Sequence, residues 1–213
     1  MEEIYLQILN LKHREDRRAE CLAVLESAGV FVSYDPFFEA KYTPEDGAVG
    51  CALSHAHLIS NFLFSCSQEY LLVLEDDVSL SDPVRFRGDL GVAISSHNDW
   101  NVYLLSHNKA IPIAVTSINN CFRVVNSQTA SGYIVGRSYA PTLVFSFYRS
   151  AELLRKNQGL PSVNRALLRD LTALDMLWKE LQIRDRFVAP FPSLVRQRPS
   201  YSDIEKKFVN YGV

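Results

Sequence analysis

Tyr70-Leu71-Leu72-Val73-Leu74-Glu75-Asp76-Asp77-Val78 drives five residues of strand-like apolar sequence straight into three consecutive carboxylates. A short continuous apolar run closed by a turn signal reads as a strand buried on both faces of a sheet. Crowding Glu75, Asp76 and Asp77 at its exit raises electrostatic repulsion, which a divalent cation such as Mg²⁺ or Mn²⁺ relieves. The same residues also fit a plainer pattern, in which Asp76 and Asp77 open a solvated acidic turn.

The elements around this strand set its context. Ile4-Tyr-Leu-Gln-Ile-Leu is nearly continuous apolar sequence, as in a covered strand, and the chain becomes charged from Lys12 to Arg18. Cys21, Leu22, Leu25 and Ala28 recur at helical spacing before Gly29, so the pattern predicts a helix over about 15–28 with Gly29 just past its end. Val30-Phe-Val-Ser-Tyr reads as a second strand, giving a β-α-β opening with a parallel pair and a right-handed crossover. Residues 35–48 read as a loop, about 49–64 as a helix, and Asp82-Pro83 as the N-cap and first residue of a helix over 83–95. Asn101 to Leu105, Cys121 to Val125 and Tyr133 to Gly136 follow as strands, the last two as antiparallel additions. Helical stretches over about 138–156 and 163–182 then lead to a proline-rich tail from Pro190. Strands alternating with helices, then a mixed region, predict an α/β sandwich with a mostly parallel, mixed central sheet.

The 213 residues suffice for one substantial core, and the expectation is one domain over 1–213, with a nucleotide-binding half (1–105) and an acceptor-side half (106–213). With Lys+Arg 22 against Asp+Glu 24 there is no basic excess to follow a nucleic-acid backbone, so nucleic acid is not the expected partner. Cys21, Cys51, Cys66 and Cys121 lack the short paired spacings of a zinc site and read as free thiols in a reducing compartment. The N-terminus carries no basic leader, and no run reaches the ~18 apolar residues of a membrane span. A soluble, cytoplasmic protein is expected.

Several blocks in order resemble the motifs of glycosyltransferase family 25, which includes lipooligosaccharide and collagen galactosyltransferases. They are Ile8-Leu9-Asn10-Leu11-Lys12 with Arg14, Asp16 and Arg17; Gly50-Cys51-Ala52-Leu53-Ser54-His55; and Leu74-Glu75-Asp76-Asp77-Val78. Asp99-Trp100-Asn101-Val102-Tyr103-Leu104, Ser131-Gly132-Tyr133-Ile134-Val135, and Gln197 with Ser202-Asp203-Ile204 extend the likeness to residue 204. The compact size would also suit a capsid-glycosylating domain of a large DNA virus. The resemblance implies a GT-A-type α/β/α sandwich, a UDP-sugar donor, a divalent metal (Mn²⁺ or Mg²⁺), inversion at the anomeric carbon, and a glycan or glycoprotein acceptor.

On that reading Asp77, with Glu75 or Asp76, holds the metal, and the remaining carboxylate meets the ribose. Asn10 and Leu11 lie where open α/β sheets bind ligands, beyond the carboxyl ends of the strands. Arg14 and Arg17 are one helical turn apart and face either the nucleotide or solvent. Ser54 and His55 sit early in a helix, His55 serving either the reaction or a cap. Asp175 is the candidate general base, with Asp170 close enough to exchange roles, while Thr172-x-x-Asp175 also reads as a capping box. The last histidine is His107, so no late histidine can complete a metal shell, leaving Arg196, Arg198 and Lys206 as late polar candidates. Arg196 and Arg198 would clamp the diphosphate, or else belong to an ordinary basic tail. Tyr133, Trp100 and Trp178 offer either sugar-stacking faces or core packing. Two other functions compete: sugar-nucleotide nucleotidyl transfer, disfavoured because the first strand leads into no Gly-rich phosphate loop, and a catalytically silent binding domain on the same fold.

Overall fold

The computed structural model describes residues 3–203 and 207–210. In chain order its elements are β1 (Ile4–Asn10), α1 (Glu15–Ser27), β2 (Phe37–Glu39), α2 (Gly47–Ser65), β3 (Tyr70–Glu75), β4 (Val78–Leu80) and α3 (Pro83–Ser95). There follow β5 (Val102–Leu104), β6 (Ile111–Val115), β7 (Cys121–Val125), β8 (Gly132–Gly136) and α4 (Ala140–Lys156). The chain ends with α5 (Ser162–Thr172), α6 (Leu174–Arg184), β9 (Phe187–Pro190), β10 (Val195–Gln197), β11 (Ser200–Ser202) and β12 (Lys207–Val209).

An eight-stranded sheet in the order β2-β1-β3-β8-β5-β9-β7-β6 forms the frame. β1 pairs in parallel with β2 and β3, and β5 with β9, while β8 runs antiparallel between β3 and β5. Following the pairings to the edge, all strands but β8 and β7 point the same way, which is the mostly parallel, mixed sheet expected. Alternation along the central strands builds a core on each face. Leu71 and Val73 of β3 join α2, α4 and α6, whereas Tyr70, Leu72 and Leu74 join α1 and α3, so the molecule is an α/β/α sandwich. Trp178 of α6 is fully buried in the first core, where truncation of such a residue to Ala costs about 3–5 kcal/mol. Among the described residues no helix is long and apolar enough to cross a membrane.

Local chemistry explains the helix ends. The Asp82 carboxylate accepts from the N–H groups of Val84 and Arg85, and Asp46 accepts from Ala48, capping α3 and α2. Gly29 takes φ +64° just past α1, a conformation that favours glycine.

Four expectations are corrected. The second strand is not 30–34 but Phe37–Glu39: Phe31 is 70% exposed, and Tyr34 reaches back so that its hydroxyl accepts from Leu6 N–H at 2.9 Å. The helix expected over 163–182 breaks at Ala173, which is extended (φ −55°, ψ 153°), so that α6 can turn Leu174, Leu177 and Trp178 into the core. Thr172 consequently ends α5 and donates to Leu168 O at 2.6 Å, so no capping box joins it to Asp175. The tail from Pro190 is strand-forming, with β10 pairing on β4 and β11 on β12. Ile204 and Lys206 lie outside the described residues.

Candidate functional site

The parallel strands β1 and β3 end together at Asn10 and Glu75, and Gly132 at the start of β8 lies opposite Leu74, so one sheet edge gathers their ends. The acidic turn lies there and is not a solvated loop, since Asp76 and Asp77 are only 6% and 9% exposed. Asp76 has both oxygens engaged: Arg17 donates to Oδ1 at 2.6 Å and Asn10 Nδ2 to Oδ2 at 2.8 Å. Asp77 is different. Its Oδ1 is buried without a hydrogen-bond partner, and Arg17 stands 3.8 Å from Oδ2. Burial, and after it the charge of Glu75, holds the Asp77 carboxyl well above the usual carboxylate range.

Arg17 is the hinge of this corner. Besides Asp76, its guanidinium donates to Ser200 Oγ and Tyr201 O, tying β11 to the end of α1's first turn. Arg198 also returns to the turn, donating to Asp76 O at 3.1 Å and pairing with Glu20. Arg196 projects from β10 as an exposed residue and lines neither cavity described below. Arg14 pairs with Asp16 and Asp203 instead of facing the cleft.

Two cavities meet at this edge. The smaller, about 130 Å³, is lined by Leu11, Arg17, Lys41, Ser54, Asp77 and Asp203 among others. The larger, about 490 Å³, is lined by Lys109, Thr129, Arg169, Asp170, Asp175 and Met176 among others. Cys51, Glu75 and Gln197 belong to both walls. Asn10 lines neither and acts from behind, through Asp76.

Ser54 and His55 were expected early in a helix, but they sit well inside α2, beyond the first turn with its free N–H groups. Ser54 instead donates to Gly50 O and accepts from Lys41 N–H at 2.7 Å, fastening the 41–43 segment over the smaller cavity. Gly50 permits that approach, because a Cβ there would lie 2.5 Å from Lys41 O. His55 is fully buried, with Nδ1 2.9 Å from the Tyr133 hydroxyl and Nε2 3.4 Å from Glu75 Oε1. Tyr133 is therefore His55's partner in the core. Trp100 and Trp178 are likewise core residues, their indole N–H groups donating to Ala93 O and Ser127 O.

Asp175, near the start of α6, faces the larger cavity, and the Thr129 N–H donates to its Oδ2 at 3.2 Å. Burial raises its pKa above the ordinary carboxylate value. Thr129 itself has φ +67°, a strained conformation for a β-branched residue, and its hydroxyl donates to Gln197 Oε1 at 3.1 Å. Gln197 Nε2 in turn donates to Glu75 Oε2 at 3.3 Å. Thr129 and the Lys109 backbone, also at positive φ, carry no sequence signal for these roles, since neither is a glycine or an asparagine.

A hard divalent cation suits the oxygen of Asp77 that is buried without a partner in the wall of the smaller cavity, and the charge of Glu75 acts on that carboxyl. Asp76 is excluded because its oxygens are already paired, and the three carboxylates of the turn do not converge as one ligand cluster. A second donor group, Cys51, His55 and Glu75, has ligand atoms all within 4.8 Å of one another.

No family model and no curated protein matches the chain. Solved structures do. A glycosyltransferase involved in glycosylation of the major capsid of PBCV-1 superposes with TM-score 0.48 at 11% identity, over 95% of this chain and 96% of that one. A197 from STIV gives 0.49 at 9% identity over 97% and 93%. A mannose-1-phosphate geranyltransferase from Thermus thermophilus gives 0.46 at 14% identity over 88% and 73%. The similarity is one of superposed coordinates at 9–14% identity. Membership of glycosyltransferase family 25 is not shown by it.

Proposed function

We propose that the protein is a metal-dependent glycosyltransferase that moves a hexose from a UDP-sugar to a hydroxyl of a glycan or glycoprotein. The observation that carries the reading is the buried, unpartnered Oδ1 of Asp77 in the wall of the small cavity, which shares Glu75 with the large one. Asp77 and Glu75 would hold Mn²⁺ or Mg²⁺, which when bound neutralises charge on a departing diphosphate.

The chain's own residues supply the rest. Arg17 and Asn10 fix Asp76 and so hold the turn that aims Asp77. Leu11, Ser54 and the 41–43 segment wall the smaller cavity on the donor side. Donor binding thus belongs to residues 1–105 together with the returning segment 197–203, and the acceptor side to the larger cavity. Asp175 takes the proton of the acceptor hydroxyl, its carboxylate oriented by the Thr129 N–H and its raised pKa bringing it closer to neutral pH, where a general base works well. His55, bridging Tyr133 and Glu75, orients the Glu75 carboxylate.

Incubation with a panel of UDP-sugars, Mn²⁺ and candidate acceptors should release UDP. Silence across the panel overturns the reading, and release of pyrophosphate would replace it by nucleotidyl transfer. Asp77→Ala should abolish turnover and metal-dependent nucleotide binding, a loss of several kcal/mol of charge stabilisation or about 10³-fold, in a protein that stays folded. A variant that binds its partner unchanged would mark a silent binding domain.

A further inference from the structure

Cys51 and His55 lie four residues apart on α2 and so share a face, which is turned to the end of β3. There Nε2 of His55 is 3.4 Å from Glu75 Oε1, and Cys51 Sγ is 3.9 Å from the same oxygen. A tetrahedral zinc ion, with bonds of ~2.3 Å to sulfur and ~2.1 Å to nitrogen and oxygen, sets its ligand atoms roughly 3.4–3.6 Å apart. The nitrogen–oxygen separation already matches, and the sulfur has only a few tenths of an ångström to close on the oxygen.

The surroundings complete a metal site. The Nδ1 of His55 meets the buried Tyr133 hydroxyl at 2.9 Å, an outer partner that fixes the ring and leaves Nε2 to coordinate. Cys51 and Glu75 line both cavities, so an ion has a path in and a fourth position open to the cleft. Thiolate, imidazole and one carboxylate make a softer donor set than the oxygens around Asp77, and such a set selects zinc-like ions over Mg²⁺ or Mn²⁺.

We infer that Cys51, His55 and Glu75 form a three-ligand site for a thiophilic divalent cation such as Zn²⁺, which shares Glu75 with the hard-cation position at Asp77 and competes with it for that carboxylate. On binding, the sulfur–metal bond replaces the thiol proton, which passes to solvent. The site needs no nucleotide sugar, so it stands or falls apart from the transfer reaction. Occupied, it takes Glu75 away from the Asp77 site and stands on the wall between the cavities.

The test uses the full chain, stripped with a chelator and titrated with Co²⁺ and then Zn²⁺. One equivalent of Co²⁺ should produce thiolate-to-cobalt charge-transfer absorption, and Zn²⁺ should displace it. Zn²⁺ should also protect Cys51 from alkylation, read by mass spectrometry, while Cys66 continues to react. Cys51→Ser should remove the band and weaken binding by more than about 100-fold, and Tyr133→Phe should weaken it about 10–100-fold. Cys66→Ser should change neither. Absence of the band in the unaltered protein, its survival in Cys51→Ser, or undiminished alkylation of Cys51 overturns the site. Asp77→Asn should keep the cobalt band while losing Mn²⁺-dependent UDP release, so failure of one proposal does not read as failure of the other.

Discussion

The two cavities that share Glu75 are walled in different ways. Around the smaller one, polar and charged groups engage each other: Arg17 with Asp76, Asn10 with Asp76 from behind the wall, and Asp203 in the wall with Arg14 outside it. Around the larger one, the wall is a set of backbone turns and helix starts, with Thr129 and Lys109 at positive φ and Asp175 at the beginning of α6. The first is fixed because unpairing a buried charge is costly; the second contains backbone at positive φ that itself costs free energy and persists because the surrounding contacts enforce it. Asp77 lies in the first, and it is the carboxylate of the turn with a buried oxygen left bare, whereas both oxygens of Asp76 are engaged.

Removing Arg17 should break this contrast most severely. Arg17 and Asp76 are 8% and 6% exposed, so Arg17→Met strands a buried carboxylate and should cost about 3–5 kcal/mol in urea unfolding. The double variant Arg17→Met, Asp76→Leu removes both charges and should recover most of that loss. A single variant costing under about 1 kcal/mol would mean that the pair is solvated and the corner is not held by charge.

The roof of the smaller cavity should come next. Gly50→Ala drives a Cβ to 2.5 Å from Lys41 O, which is backbone and must move with its segment, for about 1–3 kcal/mol of overpacking. Ser54→Ala leaves the Lys41 N–H without its acceptor, for about 1–3 kcal/mol where that group stays dry. Both should weaken nucleotide binding in calorimetry by displacing residues 41–43. Unchanged affinity would place the nucleotide in the larger cavity.

How much of this was readable beforehand depended on sequence distance. The β3 exit, the Asp82 cap and Gly29 were legible because each is decided within a few residues. The strand at 37–39 was not, since its three residues form a strand only by pairing with the end of β1, while the more apolar Val30–Tyr34 looked like the better strand. The break at Ala173 carries neither glycine nor proline, and it exists because α6 must bury Trp178. The Arg17–Asp76 contact spans 59 positions and Gln197–Glu75 spans 122, so no local pattern announces them. Cys51 is the free thiol that the sequence predicts, and its closeness to His55 and Glu75 goes unannounced because those residues are one helical turn and one strand away, and not in a paired-cysteine motif.

Asp175 sharpens the comparison through pH. Its pKa in the fold lies above the unfolded value because burial disfavours the charge. Between those two values the native state holds more bound proton than the unfolded chain, so stability falls as pH rises through that window, and the loss persists above it. Asp175→Asn should therefore raise the melting temperature at pH 7 and leave it unchanged below the unfolded carboxylate pKa of about 3.9. A variant less stable at pH 7 would show that the Thr129 N–H and the helix start favour the carboxylate by more than burial opposes it.

Arg14 should give the smallest effect and the finest discrimination. It donates to both Asp16 oxygens and to Asp203, and that bonding draws the Asp16 carboxyl down to about 2. Yet the Asp16 side chain is 60% exposed, so solvent screens that pair, and the pair with Asp203 is only partly buried (side chains 16% and 25% exposed), so Arg14→Ala should change stability by about 1 kcal/mol. Nucleotide affinity then decides its place. If Arg14 only fastens Asp203 near the mouth of the smaller cavity, the dissociation constant of UDP with Mn²⁺ stays within a factor of about two to three. A tenfold rise, worth about 1.4 kcal/mol, exceeds anything a screened surface pair supplies and means that the guanidinium leaves Asp16 to meet the diphosphate. In that event the smaller cavity is completed by its ligand and is not fully formed beforehand, as the buried Arg17 pair alone would suggest.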